Sequence, residues 1–116
     1  MKKLTKTNQK LVNLIRQLKK LSNKENVMIW KRIANELERP TRSMRKVNVW
    51  KLNKITKENE TVIVPGKVLG EGELDHKINV AAYQFSEGSK AKIGNFMLIE
   101  ELMEKNPKGS KVRIIG

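Results

Sequence analysis

The sequence predicts an α+β fold, in which N-terminal helices and a basic arm are followed by a mixed β/α portion. Three observations carry this reading. Leu11, Leu14, Ile15, Leu18 and Leu21 recur at helical spacing near the start. Past residue 61, short β-branched runs such as Val62-Ile63-Val64 take over, punctuated by Pro65-Gly66 and Gly70-Glu71-Gly72-Glu73. Charge divides at the same place: residues 1–61 carry 17 Lys and Arg against 5 Asp and Glu, a net of +12, whereas residues 62–116 carry 8 against 7, a net of +1. A chain of 116 residues suits one compact domain. Within it, residues 1–61 read as a basic helical binding portion and residues 62–116 as its scaffold.

The elements follow in order. Residues 1–8 carry Lys2, Lys3 and Lys6 with little to bury, which fits a basic tail that orders on a partner and equally a solvated terminus. From Gln9 a helix is expected, its apolar stripe opposed by Lys10, Arg16, Gln17, Lys20 and Lys24. Asn26 suits the N-cap of a second helix with Val27, Trp30, Ile33, Ala34 and Leu37 inward. That helix stops by Glu38, because Pro40 keeps the residue before it out of the α region. The basic arm, Arg39 to Lys46, comes next. Asn48 could cap a short helix through Val49, Leu52 and Ile55 with Lys51 and Lys54 outward, while the Val47/Val49 alternation equally allows a strand. Trp50 lies off the Val49/Leu52 face, so stacking on a base or ribose and packing inside both fit it.

Residues 62–64 and 67–69 read as strands around a turn at Pro65-Gly66, with a second turn at residues 70–73. Leu74 to Phe85 reads as a strand. Ser86 suits the N-cap of a helix ending near Ile93, with Gly94 as its C-terminal cap and Gly88 weakening it. A short strand at Phe96–Leu98, a helix at Ile99–Lys105, a turn at Pro107-Lys108-Gly109 and a strand from Val112 to Ile115 complete the chain.

Composition narrows the function. There is no cysteine and one histidine, which removes disulfides and argues against a zinc site. The longest apolar runs, among them Val27–Trp30 and Phe96–Ile99, are four residues, far short of a membrane span or signal core, so a soluble chain that is not exported is expected. Residues 39–55 crowd Arg39, Arg42, Arg45, Lys46, Lys51 and Lys54 together with no acidic residue and one aromatic, Trp50. Like charges this dense repel one another, so folding alone gives no reason to gather them. A nucleic acid is the first partner to expect, and an acidic membrane or protein surface the second. The membrane reading lacks the bulky apolar face that an interfacial helix needs.

Signs of catalysis are weak. Gly70-x-Gly72 lacks the third glycine of a dinucleotide loop, and the chain after it reads as strand. Glu71, Glu73 and Asp75 alternate, so on a strand they would share one side and could hold magnesium, but turn acids on a hairpin need no metal. His76 stands beside Asp75 without a serine or cysteine placed as nucleophile. Gly66 and Gly109 read as turn residues, with Lys67 and Lys111 where a phosphate could approach closely. No active site, cofactor or small-molecule substrate is expected. The competing readings are a magnesium-dependent nuclease built on Glu71, Glu73, Asp75 and His76, and a free nucleic-acid-compacting protein.

Three segments add a resemblance. Glu38-Arg39-Pro40-Thr41-Arg42 through Asn48-Val49, then Val62 through Leu74 with its Val-Pro-Gly-Lys-Val-Leu-Gly core, and Asn106-Pro107-Lys108-Gly109-Ser110 with Val112-Arg113 are similar to the archaeal and eukaryotic large-subunit ribosomal protein family L-eighteen-e, a relative of bacterial L-fifteen. Val80-Ala81-Ala82 and Phe85-Ser86 match as well. The compact length resembles the archaeal form. Gly88 and Ser89 depart from the better helix formers of the family. The resemblance implies a non-catalytic cytoplasmic ribosome component, bound to large-subunit ribosomal RNA and neighbouring large-subunit proteins, with irregular β-β-α units in its C-terminal portion. The RNA contacts then expected on the arm and its flank are Arg39, Thr41, Arg42, Ser43, Arg45, Lys46, Asn48, Trp50, Lys51 and Lys54. Lys2, Lys3, Lys6 and Lys10 are expected from the N-terminal region, and Lys67, Lys111 and Arg113 from the second half.

Overall fold

A computed structural model describes residues 9–39 and 45–115. The elements are α1 (Gln9–Glu25), α2 (Ile29–Leu37), β1 (Arg45–Asn48), α3 (Val49–Ile55), β2 (Thr61–Leu69), β3 (Asn79–Phe85), α4 (Glu87–Ile93), β4 (Phe96–Leu98), α5 (Ile99–Lys105) and β5 (Val112–Ile114). The α+β content is as expected, and every strand pairing is parallel. Strand order runs β1-β2-β3-β4, while β5 pairs with β2 on the side of β1. Helices cover both faces. Ile63 and Ala81 meet Leu14, Leu18, Trp30 and Ile33 of α1 and α2 and Ile99 and Leu102 of α5. Val62, Val64, Val80 and Ala82 meet Leu52 of α3 and Ile93 of α4. A strand buried on both faces needs apolar residues at consecutive positions, which is why Val62-Ile63-Val64 does not alternate.

Pro65-Gly66 is not a turn. Both residues are buried inside β2, where the register with β3 slips between Val64 and Lys67. On the other edge, β5 pairs with Thr61–Ile63 and β1 with Gly66–Leu69, so Pro65 falls where one partner strand hands over to the next. A residue without an N–H costs least in that gap. Gly66 is required for a different reason: a Cβ there would lie 2.0 Å from the Arg45 carbonyl oxygen. Its missing side chain lets β1 close onto β2.

Two capping expectations resolve differently. Asn26 does not begin α2. It adopts a left-handed conformation at φ 57° and ends α1, with the Val27 N–H donating to the Ser22 carbonyl at 3.2 Å, the bond that closes a Schellman-type C-terminus. Ser86 caps α4 as expected, its side chain accepting from the Ser89 N–H at 3.2 Å, and Gly94 ends that helix at φ 73°. Residues 45–55 are both strand and helix: β1 ends at Asn48, which holds the N-cap position of α3 without a side-chain bond.

Leu74–Phe85 is strand only from Asn79. Residues 70–78 are an extended crossover that returns the chain to the start of the next parallel strand and runs beside α3. The Trp50 N–H donates to the Glu71 carbonyl at 3.0 Å, the Asp75 N–H to Asn53 Oδ1 at 2.8 Å, and Thr56 Oγ1 lies 2.7 Å from His76 Nε2. Lys92 of α4 secures the start of this crossover through the carbonyls of Gly70 and Gly72 at 2.8 and 2.6 Å.

The doubt raised by Gly88 has a direct test. A Cβ on Gly88 would meet only the Cα of Gly70 at 3.7 Å, an ordinary contact. Gly88→Ala is expected to stabilise the protein by about 0.5 kcal/mol through helix propensity, raising Tm by about 2–4 °C in calorimetry. A lowered Tm would show that α4 tolerates no methyl against Gly70.

Candidate nucleic-acid interface

The basic arm leaves α2 after Leu37 and returns as β1. Its two described ends converge on one carboxylate. Glu36, on the last turn of α2, accepts from Arg45 Nε at 2.7 Å and lies 3.6 Å from Arg39 Nε. Arg39 keeps 50% and Arg45 34% of its side chain exposed. The acid is one against two guanidiniums, so the cluster stays cationic. Sequence reasoning missed Glu36, because a lone acid on a helix reads as solvated.

β1 extends the positive surface onto the sheet. Lys46 is in register with Lys67 of β2, which in turn is in register with Gln84 of β3. Partner residues of adjacent strands lie about 5 Å apart, so two ammonium groups rise from neighbouring backbones. Val47, the next residue, is buried and fixes which side of the strand Lys46 occupies.

α3 carries the flank. Val49 and Leu52 are buried, leaving Trp50, Lys51, Lys54 and Ile55 on the outer side, with Lys54 exposed. Trp50 is 50% exposed. Its backbone is held tightly: a Cβ on Gly72, which adopts φ +100°, would lie 2.4 Å from the Trp50 Cβ. The other tryptophan, Trp30, is core, with its indole N–H donating to the Pro107 carbonyl at 2.7 Å.

The remaining candidate cations are scattered. Lys10 lies on the first turn of α1, and Lys111 is exposed in the turn before β5 at φ 58°. Arg113 does not offer a free fork. Its Nε and Nη2 grip Glu60 at 3.0 and 3.1 Å, and Nη2 also donates to the Ile55 carbonyl, tying β5 to the loop before β2. The basic side of α1 is not uniform either, since Lys20 and Lys24 line a groove shared with Glu100 and Glu104 of α5. Lys2, Lys3, Lys6, Thr41, Arg42 and Ser43 lie outside the described residues.

The acidic crossover does not build a metal site. Glu73 pairs with Lys92 at 3.3 Å. Asp75 pairs with His76 Nδ1 at 2.8 Å, and that hydrogen bond, with a second from Asn53, holds its carboxyl below the usual range. Glu71, Glu73 and Asp75 are all exposed, and Glu73 and Asp75 are engaged by different neighbours. Among the described residues no group of three or more His, Cys, Asp or Glu is placed to hold a metal ion. Nor is any described helix long and apolar enough to cross a membrane.

Comparison with known proteins agrees with the arrangement of motifs. Residues 9–96 match the family model that describes ribosomal proteins 50S-L15 and 50S-L18e together with their 60S counterpart. The chain is 46% identical over 118 residues to the large ribosomal subunit protein eL18 of Methanothermobacter thermautotrophicus, covering 98% of each chain. It is 48% identical over 114 residues to the protein of that name from Methanoregula boonei, covering 95% of this chain and 94% of the relative. It is also 48% identical over 117 residues to the one from Methanosphaerula palustris, covering 97% of each. All three relatives are named as a protein of the large ribosomal subunit, and the chain, like that family, is not an enzyme. With the family model matched over most of its length and relatives alike from end to end, the chain belongs to the L15/L18e family of large-subunit ribosomal proteins.

Proposed function

We propose that the chain is a structural constituent of the large subunit of the cytoplasmic ribosome and holds large-subunit ribosomal RNA through its basic arm. The observation that carries this reading is the meeting of Arg39 and Arg45, on either side of the arm, at Glu36, with Lys46 and Lys67 in register on the adjoining strands. Residues 1–61 supply most of the RNA surface and residues 62–116 the scaffold that presents it. A-form RNA hides its base edges in a deep, narrow groove, so a protein that fixes an RNA junction works through phosphates and ribose hydroxyls. The planar guanidinium fork grips two phosphate oxygens at once. Arg39, Arg42, Arg45 and Lys46 take backbone contacts, aided by Thr41, Ser43 and Asn48. Lys51, Lys54 and Lys67 widen the surface, and Lys2, Lys3, Lys6, Lys10 and Lys111 add longer-range neutralisation. Trp50 offers an exposed ring to an unpaired base or a ribose. Arg113, gripping Glu60, contributes through its exposed edge at most. Neighbouring large-subunit proteins complete the set of partners.

Salt titration tests this. If about six to ten phosphates are neutralised, affinity for large-subunit ribosomal RNA falls by about 10³- to 10⁵-fold between 50 and 200 mM salt. The chain is also expected to sediment with large subunits in a sucrose gradient. Salt-insensitive binding would contradict the reading, and recovery only at the top of the gradient would favour a free compacting protein.

A further inference from the structure

We infer that the aromatic cleft at the β4 edge of the sheet is a docking site for an arginine-bearing basic segment of a neighbouring large-subunit protein. The choice of partner rests on the reading of the chain as a large-subunit component. β4 stands at the opposite end of the strand order from β1, so this edge is the one farthest from the arm. The register of β4 stops at Ala82↔Leu98, while β3 runs on to Phe85. Beside that overhang lies a cleft of about 380 Å³, lined by Tyr83, Phe85, Phe96 and Met97 with Lys90 and Glu101 at its polar side, a size that admits a small ligand or one long side chain. Phe96 keeps 40% of its surface exposed, and the Phe85 ring stands 5.3 Å away at a tilt of 52°. Two aromatic rings thus meet at an open, apolar surface that the fold itself leaves uncovered.

Charge identifies the occupant. The chain carries 25 Lys and Arg against 12 Asp and Glu, yet Phe96 to Glu104 holds three acids, Glu100, Glu101 and Glu104, and no cation. Ile99 and Leu102 are buried, which turns those acids outward. Glu25, Glu36, Glu38, Glu60, Glu73 and Glu87 each pair with a Lys or Arg, but none of the ion pairs among the described residues reaches α5. Lys90 lies 3.5 Å from Glu87 and 6.0 Å from the centroid of the Phe96 ring. Its charge is therefore offset by Glu87, and Glu101 is left without a counter-charge. A phosphate entering the cleft would meet that carboxylate and the acids of α5, all of its own sign. A guanidinium meets the reverse: its plane stacks on an aromatic face while its N–H donors fork onto the carboxylate. Arginine is also the cation most often found at the energetic centre of protein interfaces.

The experiment titrates full-length wild-type protein and variants into a short fluorescein-labelled peptide of alternating arginine and glycine, and separately into a short labelled single-stranded RNA, reading anisotropy. Glu101→Gln is expected to weaken peptide binding about tenfold, the loss of one charge-assisted fork, and Phe96→Ala about fivefold, with RNA affinity unchanged in both. Lys90→Ala removes a like charge from the cleft, so it is expected to bind the peptide as tightly as wild type or more tightly. Absence of peptide binding by the wild type, peptide affinity unmoved by Glu101→Gln and Phe96→Ala, or weakening by Lys90→Ala would overturn the proposal. So would RNA binding that weakens in Phe96→Ala and Lys90→Ala and tightens in Glu101→Gln, because a nucleotide would then be the occupant. Self-association lost in Phe96→Ala would equally overturn it, by giving the cleft to a second copy. Failure of the chain to sediment with large subunits would overturn the ribosomal reading instead, and the peptide titration does not depend on that result.

Discussion

Replacing Arg39, Arg42 and Arg45 together by alanine is expected to weaken binding to large-subunit ribosomal RNA by about a hundredfold or more, while the free protein melts almost where the wild type does. The first half follows from the strength of charge-assisted bonds to phosphate, each contributing about 1.5–3 kcal/mol where it is well made, and from lost counterion release, so the salt dependence becomes shallower as well. The second half follows from the exposure of Arg39 and Arg45, the two described arginines of the set. Arg39 and Arg45 form ion pairs with Glu36, but both are open to water, and such pairs contribute about 1 kcal/mol or less. Filter binding across salt concentrations, with calorimetry on the same samples, reads both halves. A large fall in Tm with RNA affinity unchanged would reverse the assignment and make these arginines structural.

Gly66→Ala carries the second large effect, and it acts on the fold first. The added Cβ would sit 2.0 Å from the Arg45 carbonyl oxygen and 2.9 Å from its carbon, both backbone atoms of the paired strand. No rotamer relieves a clash between two backbones, so β1 must move off β2 by roughly an ångström or more to reach ordinary contact distance. Four in-register residue pairs, Arg45↔Gly66 to Asn48↔Leu69, depend on that contact. Overpacking and lost ladder bonds together are expected to cost about 3 kcal/mol or more, lowering Tm by about 10 °C or more. RNA affinity should fall too, because β1 sets the position of Arg45 and Lys46. Thermal unfolding checks the first claim and RNA titration below the transition the second. A variant with wild-type Tm would mean that β1 is not seated on β2 as described.

Much of this architecture was legible in the residues. The stripe of Leu11, Leu14, Ile15 and Leu18 is buried as its spacing required, and Ser86 and Gly94 bound α4 as their conformational preferences required. What local chemistry could not supply was tertiary choice. Asn favours both a helix N-cap and the left-handed residue past a helix end, and at Asn26 the bond from Val27 to Ser22 selects the second. Pro65-Gly66 carries the signature of a turn, but the exchange of β5 for β1 along β2 turns it into a tolerated irregularity inside a buried strand. The alternation of Glu71, Glu73 and Asp75 did report an extended chain, without a ladder partner. The cations of the arm stood out from the start, whereas the acid that ties them was hidden, because Glu36 and Arg45 meet only once the arm has folded back. Arg113 illustrates the converse: a cation in a family motif whose partner, Glu60, lies far away in sequence.

The central claim is that the arm between α2 and β1 exists to be neutralised by ribosomal RNA. A high-resolution structure of the assembled large subunit containing this chain tests it most directly. The expected result places Arg39, Arg42, Arg45 and Lys46 within hydrogen-bonding distance of phosphate oxygens, with Glu36 still bridging the feet of the arm. An arm facing solvent or another protein, with the nearest nucleotide beyond reach of any of its side chains, would contradict the account.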